Sequence, residues 1–120
     1  MVKHNFRQLN IWKDAVDLAK EVYRLTQSLP SEHKYGISSQ MFRAAVSVSS
    51  NIAEGSAKNS PKEFVYFLST SLGSAYELET QLVISGQCGL IDVHHIERLI
   101  GKVQILQKQI MAFVNVVKAT

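Results

Sequence analysis

The sequence contains little that would interrupt long regular elements or cross-link the chain. Only two prolines and six glycines occur in 120 residues. The single cysteine, Cys88, has no partner for an internal disulfide, which excludes a disulfide framework and is typical of a reducing compartment. No apolar run approaches the roughly 20 residues that a membrane-spanning helix needs, and residues 1–8 lack the apolar centre of a secretory signal. We therefore expect a soluble, cytoplasmic protein without membrane contact.

Residue patterns that support catalysis or metal binding are also scarce. Di-iron bundles need a histidine three residues after a glutamate, and no glutamate in this sequence has one. The sequence contains no phosphate-binding glycine loop and no nucleophile elbow. His94 and His95 point about 100° apart on a helix; with Asp92 and Glu97 they favour a polar helix start over a surface metal site. We expect neither an enzyme nor a protein that depends on a metal or cofactor.

Charge is distributed unevenly along the chain, although the formal net charge is only +3. Residues 1–62 hold nine Lys or Arg against five Asp or Glu, and residues 98–120 hold four Lys or Arg and no acid. The intervening stretch, residues 63–97, holds five Asp or Glu and no Lys or Arg. Two basic blocks therefore flank an acidic one.

Apolar residues recur at steps of three and four in four segments, which is the spacing of one helical face. These segments predict helices over about 9–28, 38–55, 61–86 and 92–118. Short connections between amphipathic helices favour antiparallel neighbours. We predict one all-α domain over residues 1–120, an antiparallel up-and-down four-helix bundle.

Several residues mark the expected helix ends. Pro30 ends the first helix, and Ser38 or Ser39 can cap the second. Gly55 is a candidate for the left-handed residue that ends the second helix. Ser60-Pro61-Lys62-Glu63 reads as a capped start of the third helix, and Asp92 as the cap of the fourth.

The third and fourth helices carry more apolar surface than each would bury in the core of a single four-helix bundle. The surplus positions are small or apolar residues on their outer faces: Leu72, Tyr76, Val83, Gly101, Ile105 and Ala112. One interpretation is a thick core with a neutral surface. The interpretation that we favour is an interface between copies of the chain, to which the first helix also contributes.

A polar stripe follows the second helix at the same steps of three and four. Its members are Gln40, Arg43, Ser47, Asn51 and Glu54. On a helical wheel they lie about 140–180° from the apolar seam of that helix. The alternatives are a solvated face, a ligand site, or a structural network that faces a neighbouring subunit and pairs Arg43 with Glu54 or Glu77; we favour structure or assembly.

Antiparallel topology should bring the N-terminus, the connection between the second and third helices, and the end of the fourth helix to one end of the bundle. We call this end the basic pole. Its predicted cations are Lys3, Arg7, Lys13, Lys58, Lys62 and Lys118, with Lys108 a few turns away.

A helix N-terminus lies there too, and such termini favour phosphate. The alternative is that these lysines only complement helix dipoles. Since no RNA-reading module is visible, nucleic-acid binding here would depend on charge and shape.

Several runs of residues resemble those of a known family. They are Leu9-x-Ile11-Trp12-x-x-Ala15, Val22-Tyr23-x-x-Thr26, Leu29-Pro30, Tyr35-Gly36-Ile37-x-x-Gln40, Arg43 to Val48 followed by Asn51-Ile52-Ala53-Glu54-Gly55, Glu63-Phe64-x-x-Phe67-Leu68 and Glu77-Leu78-Glu79-x-Gln81-Leu82. Together they resemble the bacterial four-helix-bundle proteins encoded in intervening sequences of 23S ribosomal RNA genes. The resemblance covers nearly the whole chain, and Arg43 with Asn51 to Gly55 is its most specific part.

This resemblance implies a four-helix bundle that assembles as a ring, with a pentamer as the expected order. The family is similar to the accessory protein of diversity-generating retroelements, a basic ring thought to contact nucleic acid and a reverse transcriptase. No established catalytic residue carries over. We therefore expect a homo-oligomeric bundle that binds RNA or a ribonucleoprotein partner through the basic pole. The alternative is a protein-binding scaffold without nucleic-acid affinity.

Overall fold

The computed structural model describes residues 4–120 and contains four long helices in that range. They are α1 (Asn10–Ser28), α2 (Ile37–Ser56), α3 (Pro61–Gln87) and α4 (Val93–Lys118). Short 3-10 turns at Phe6–Gln8 and Ser31–His33 precede α1 and α2. The observed helix ends lie within one residue of those that the apolar periodicity predicts.

The helices form an up-and-down bundle in which each packs against the next along the chain. The α2–α3 pair packs most extensively, followed by the α3–α4 pair and the α1–α2 pair. α1 and α4 touch more sparingly and close the bundle. The molecule measures 47 × 22 × 20 Å, which is close to the length and width of helices of this size laid side by side. The predicted fold class is confirmed.

Two predicted helix starts are confirmed by their capping bonds. The Ser60 hydroxyl accepts a hydrogen bond from the Glu63 backbone N–H at 3.2 Å, and Pro61 occupies the first turn. The Asp92 carboxylate accepts one from the His95 N–H at 3.4 Å. At the end of α3, Gly89 adopts a positive φ of 75°. The Leu90 N–H then reaches the Ser85 carbonyl and the Gly89 N–H reaches the Gly86 carbonyl, which is the paired pattern that ends many helices.

The predicted serine cap of α2 is wrong. The helix begins one residue earlier, with Gly36 in the capping position and no side-chain bond to its first N–H groups. Ser38 lies within the first turn and is buried, with a side-chain oxygen that has no hydrogen-bond partner. Ser38 lies on the face of α2 that is turned toward the core, so its hydroxyl does not cap the start of the helix.

The core is a continuous apolar column contributed by all four helices. Its largest fully buried side chains include Phe64, Met41, Ile52, Leu78 and Leu99. Two polar contacts of the described residues cross the column from α3 to α2. The Ser85 hydroxyl donates to Met41 Sδ at 3.7 Å, and the Ser71 hydroxyl donates to the Val48 carbonyl at 2.7 Å. Because that hydroxyl is fully buried, the bond satisfies a donor that would otherwise cost about 1–3 kcal/mol.

Gly55 does not end α2 in a left-handed conformation, as the sequence suggested. It lies inside the helix, is buried, and among the described glycines only Gly89 has a positive φ. A Cβ atom at Gly55 would lie 2.8 Å from Cδ1 of Phe64 and 2.8 Å from Cβ of Phe67. The glycine is required by the close approach of α2 to the start of α3, because any side chain would collide with these residues.

We predict that Gly55→Ala destabilises the bundle by about 1–3 kcal/mol, the usual cost of forcing extra volume into a packed contact. The Cβ contact on the Phe67 side is with a Cβ atom, which cannot rotate away. The measurement is the free energy of unfolding in urea, at one fixed chain concentration because assembly alters apparent stability.

Gly101→Ala is the matched control, since Gly101 is also helical but an added Cβ there would have no atom within 4 Å. At that position alanine should stabilise the helix by about 0.5–1 kcal/mol. Equal effects of the two substitutions would contradict the role assigned to Gly55.

Candidate nucleic-acid and assembly surfaces

Three aromatic rings hold together the chain segments that form the basic pole. The His4 ring lies 5.6 Å from the Phe64 ring of α3 and 5.4 Å from the Phe113 ring of α4. Phe64 and Phe113 are themselves 5.7 Å apart, with their planes at 71°. Edge-to-face contacts at these distances are favourable. The segment before α1, the start of α3 and the last turns of α4 are therefore adjacent.

The predicted cations of the basic pole are distributed over these segments, the first turn of α1 and the connection between α2 and α3. Lys3 is outside the described residues. Arg7, Lys13, Lys62 and Lys118 are exposed. Lys58 is half-buried, with its Nζ 4.9 Å from the centre of the Phe67 ring, a cation–π distance. Lys108 is exposed but precedes Lys118 by ten residues, about 15 Å along α4, so it lies beside the pole and not on it.

The N-terminus of α3 is a poorer phosphate site than the sequence suggested. Pro61 has no N–H, the Glu63 N–H is taken by the Ser60 hydroxyl, and the Phe64 N–H by the Ser60 carbonyl. The Glu63 carboxylate also lies there and accepts from the Ser60 hydroxyl at 3.3 Å. The cap therefore occupies the N–H groups of Glu63 and Phe64 and leaves that of Lys62, so the lysine side chains are the main cationic feature.

A charge cluster that the sequence did not reveal joins α1 to α4. Glu21 accepts a hydrogen bond from Lys102 Nζ, and Arg98 Nη1 lies 3.5 Å from the same carboxylate oxygen. Burial raises the pKa of Glu21, but the hydrogen bond and charge of Lys102 and the charge of Arg98 outweigh it, so this pKa lies below its ordinary value. Two of the four cations of residues 98–120 are thus paired with an acid away from the pole.

The polar stripe of α2 lies partly against α3 and not wholly opposite the core. The Ser47 hydroxyl is 2.8 Å from the Ser74 hydroxyl, and Asn51 Nδ2 donates to the Ser47 carbonyl at 2.8 Å. Glu54 is exposed. At 3.6 residues per turn, Asn51 lies about 80° and Ser47 about 120° from the apolar seam, so the predicted angle was too large for both. The neighbouring helix α3 covers that side.

The remaining members of the predicted polar network line a shallow depression between α2 and α3. It has a volume of about 330 Å³, and Gln40, Arg43, Glu77 and Gln81 contribute to its wall. Within residues 4–120 no carboxylate oxygen lies within 4.0 Å of Arg43. The pairing of Arg43 with Glu54 or Glu77 is therefore absent inside the protomer, and a pairing between subunits stays a prediction.

The predicted interface residues separate into two surfaces. Tyr76 and Val83 are exposed on α3, whereas Leu72 is partly buried against the core. On α4, Ile105 is 60% exposed and lines a cleft of about 220 Å³ against α1, beside the Glu21 cluster. Ala112 lines a second cleft, against the residues that precede and begin α1, and Gly101 is half-buried.

An apolar groove lies between α1 and α2. Its α1 wall is formed by Val16, Ala19 and Tyr23, which recur at steps of three and four, and its α2 wall was not predicted from the sequence. The groove has a volume of about 520 Å³ and is lined by Val16, Ala19, Lys20, Tyr23, Arg24, Phe42, Val46 and Ser49. We call it the α1–α2 groove. The i, i+4 spacing of Phe42 and Val46 is the signal that could have indicated its second wall.

The described part of the chain offers no constellation for a bound metal. No group of three or more His, Cys, Asp or Glu side chains within residues 4–120 is arranged to hold a metal ion. Asp92, which the sequence placed beside His94 and His95, is engaged in capping α4. In the same range, no helix combines the length and apolar character required to cross a bilayer.

Comparison with known proteins identifies the family to which the chain belongs. The sequence profile of the 23S rRNA-intervening sequence protein family matches residues 7–112, most of the chain. The chain belongs to this family. No curated protein sequence matches it significantly.

A crystal structure with a similar fold comes from Bacteroides thetaiotaomicron. It is described as a protein of unknown function from the S23 ribosomal protein family, and it is 22% identical to this chain. The match covers 87% of this chain and 97% of that one, with a TM-score of 0.81. At that identity the likeness establishes a shared four-helix bundle.

We predict that Glu21→Gln destabilises the bundle at neutral pH by less than about 1 kcal/mol, since both cationic partners are about half exposed. A carboxyl whose pKa is lower in the folded state contributes stability above its unfolded pKa, near 4.3, and loses it as pH falls through the folded value. The difference between wild type and variant should therefore shrink below about pH 4. Urea unfolding across pH measures it.

Asp17→Asn is the control on the same helix. Asp17 and Lys20 are both largely exposed and 3.9 Å apart, so this substitution should change stability little at any pH. A Glu21→Gln effect that persists unchanged at acid pH would contradict the assignment of the charge cluster.

Proposed function

We propose that this member of the 23S rRNA-intervening sequence family is a non-enzymatic, homo-oligomeric bundle of the cytoplasm that binds structured RNA, or a ribonucleoprotein, through its basic pole. The observation that carries the proposal is the contact among His4, Phe64 and Phe113. This contact supports the proposal because the segments that it joins carry Arg7, Lys62 and Lys118, in a family whose name refers to ribosomal RNA.

The charges of the pole suit a phosphate backbone better than a small ligand. Arg7, Lys13, Lys62 and Lys118 extend from different segments into solvent. Within residues 4–120, none of them lies within 4.0 Å of a carboxylate. Binding that neutralises phosphates releases counterions, and its affinity depends on how many cations engage at once. Several unpaired lysines at one end of the bundle provide such a charge without a defined pocket.

Assembly is part of the proposal because one protomer offers few such cations. The formal net charge is +3, and Asp14, Glu54 and Glu63 lie near the same pole. A ring of copies, for which the resemblance to the ring-forming accessory proteins of diversity-generating retroelements suggests five, presents one basic pole per copy. Light scattering that gives a single-chain mass at all accessible concentrations would reject this part of the proposal.

The second candidate function is a protein-binding scaffold without affinity for nucleic acid. The weak net charge and the acids near the pole favour it, as do the exposed apolar side chains Tyr23, Tyr76 and Ile105. The two candidates differ in their dependence on salt, because electrostatic binding to RNA is strongest at low ionic strength.

We predict that wild-type protein shifts a structured RNA in a gel near 50 mM salt and releases it as salt increases. Lys62→Glu combined with Lys118→Glu should weaken this binding for all RNA sequences alike. Each lost phosphate contact reduces the steepness of log affinity against log salt by about 1, and hence by about 2 for every copy whose pole engages the RNA. Circular dichroism should show an unchanged fold, since both side chains are exposed.

Lys34→Glu is the matched control for Lys62→Glu and for Lys118→Glu made singly. It changes net charge as much as either of them, but Lys34 is exposed on the connection between α1 and α2, at the opposite end of the bundle. Equal weakening by Lys34→Glu would indicate a general charge effect and not a basic-pole site. A wild-type protein that binds no structured RNA at 50 mM salt would favour the scaffold.

A further inference from the structure

The α1–α2 groove is an open apolar surface with a cationic rim. Tyr23 is half-exposed, and its ring lies 5.5 Å from that of Phe42 across the groove. Val16, Ala19 and Val46 supply the remaining apolar lining. Lys20 and Arg24 lie one turn apart on the α1 side. The only acid within 4.0 Å of either in the described chain is Asp17, 3.9 Å from Lys20.

The outer face of α3 has the complementary character. Positions at steps of three and four along that face are all exposed: Gly73, Tyr76, Glu77, Thr80, Val83, Ile84 and Gln87. We call this row the α3 ridge. Tyr76, Val83 and Ile84 make it apolar, and Gly73 and Thr80 keep it narrow. Its only charged member is Glu77, and residues 63–97 contain no Lys or Arg.

We propose that the α3 ridge of one copy docks in the α1–α2 groove of the next, so that these two surfaces form the contact of the assembly. Ridges of side chains on one helix pack into grooves between others, and an amphipathic helix lying in an apolar groove is a common mode of recognition. The groove residues 16–24 span about 12 Å of helix and the ridge residues 73–84 about 17 Å. The ridge is therefore long enough to fill the groove.

Charge complementarity selects a second copy as the occupant. The groove has cations at its rim. On the ridge, Glu77 shares a depression with Arg43 of its own chain, but no Lys or Arg nitrogen of the described residues lies within 4.0 Å of its carboxylate. Docked together, Glu77 faces Lys20 or Arg24 of the neighbour. Two ridges or two grooves would instead bring like charges together, which disfavours contact between identical surfaces.

The contact is heterologous, because the groove and the ridge are different surfaces of one chain. Each pair of copies therefore retains a free groove and a free ridge after its first contact, and the chain of contacts ends only when a ring closes. This inference rests on the self-assembly in the proposed function and specifies its geometry. It assigns the contact to an α3 surface and an α1–α2 surface, whereas the sequence favoured the outer faces of the third and fourth helices with a contribution from the first.

The test uses one variant of each surface and measures mass by light scattering. Tyr23→Glu alters the groove, and Ile84→Glu alters the ridge. Each alone should abolish the wild-type assembly. Matched controls are Tyr35→Glu and Val93→Glu, which introduce the same charge at exposed positions outside both surfaces and should keep the wild-type mass.

Mixing the two altered chains gives the decisive result. A Tyr23→Glu chain keeps its ridge, and an Ile84→Glu chain keeps its groove, so one intact contact can form between them. We expect a one-to-one pair with twice the protomer mass and no further growth. A mixture that stays monomeric, or single variants that retain the wild-type mass, would overturn the groove–ridge contact while leaving self-assembly standing.

A charge-exchange experiment distinguishes loss of the contact from unfolding of the variant chain. Arg24→Glu and Glu77→Arg should each weaken the assembly at least tenfold in dissociation constant, and the chain carrying both should regain most of it, because the pair is restored in reversed order. A double variant weaker than either single one would contradict the pairing. A wild-type chain that is monomeric throughout would reject the assembly itself, and with it this contact.

Discussion

The close approach of α2 to α3 at Gly55 is the constraint on which the rest of the bundle depends. Because Gly55 has no side chain, Phe64 and Phe67 pack directly on the end of α2, and four residues suffice to connect the two helices. Phe64 is thereby fixed where His4 and Phe113 can contact its ring. The position of the segment before α1 and of the end of α4, and hence the composition of the basic pole, follows from this one contact.

The distribution of charge over the surface depends on which charged side chains form pairs as well as on the basic and acidic stretches of the sequence. The carboxyl-terminal basic block is divided, since Glu21 engages Arg98 and Lys102 at the α1–α4 seam while Lys118 extends into solvent at the pole. The acidic stretch supplies bonds as well: Glu79 accepts from Gln104 and Gln107 across the α3–α4 seam. Glu77 faces solvent instead. A near-neutral chain thus has one cationic end and one mildly anionic side.

The sequence predicts features that depend on local chemistry and misses those that depend on which helix lies alongside. Pro30, the Ser60-Pro61 pair and Asp92 act on their own backbone, so the helix ends follow from them. Gly55 and Ser38 were misassigned because their roles are set by side chains distant in sequence. A helical wheel gives the direction of Ser47 or Ile105 but not the identity of the neighbour there. Glu21 was missed for the same reason, since its partners come 77 and 81 residues later.

In the proposed function, assembly and nucleic-acid binding are physically linked. One basic pole would engage few phosphates, and affinity from counterion release increases with the number of simultaneous contacts, so a single copy would gain little affinity. The α1–α2 groove and the α3 ridge lie along the sides of the bundle, whereas the pole is at its end. The proposed contact through the sides would leave each pole uncovered, and rotation about one ring axis would repeat the poles at the same height. On this proposal RNA binding requires assembly, whereas a protein scaffold would need the apolar sides alone.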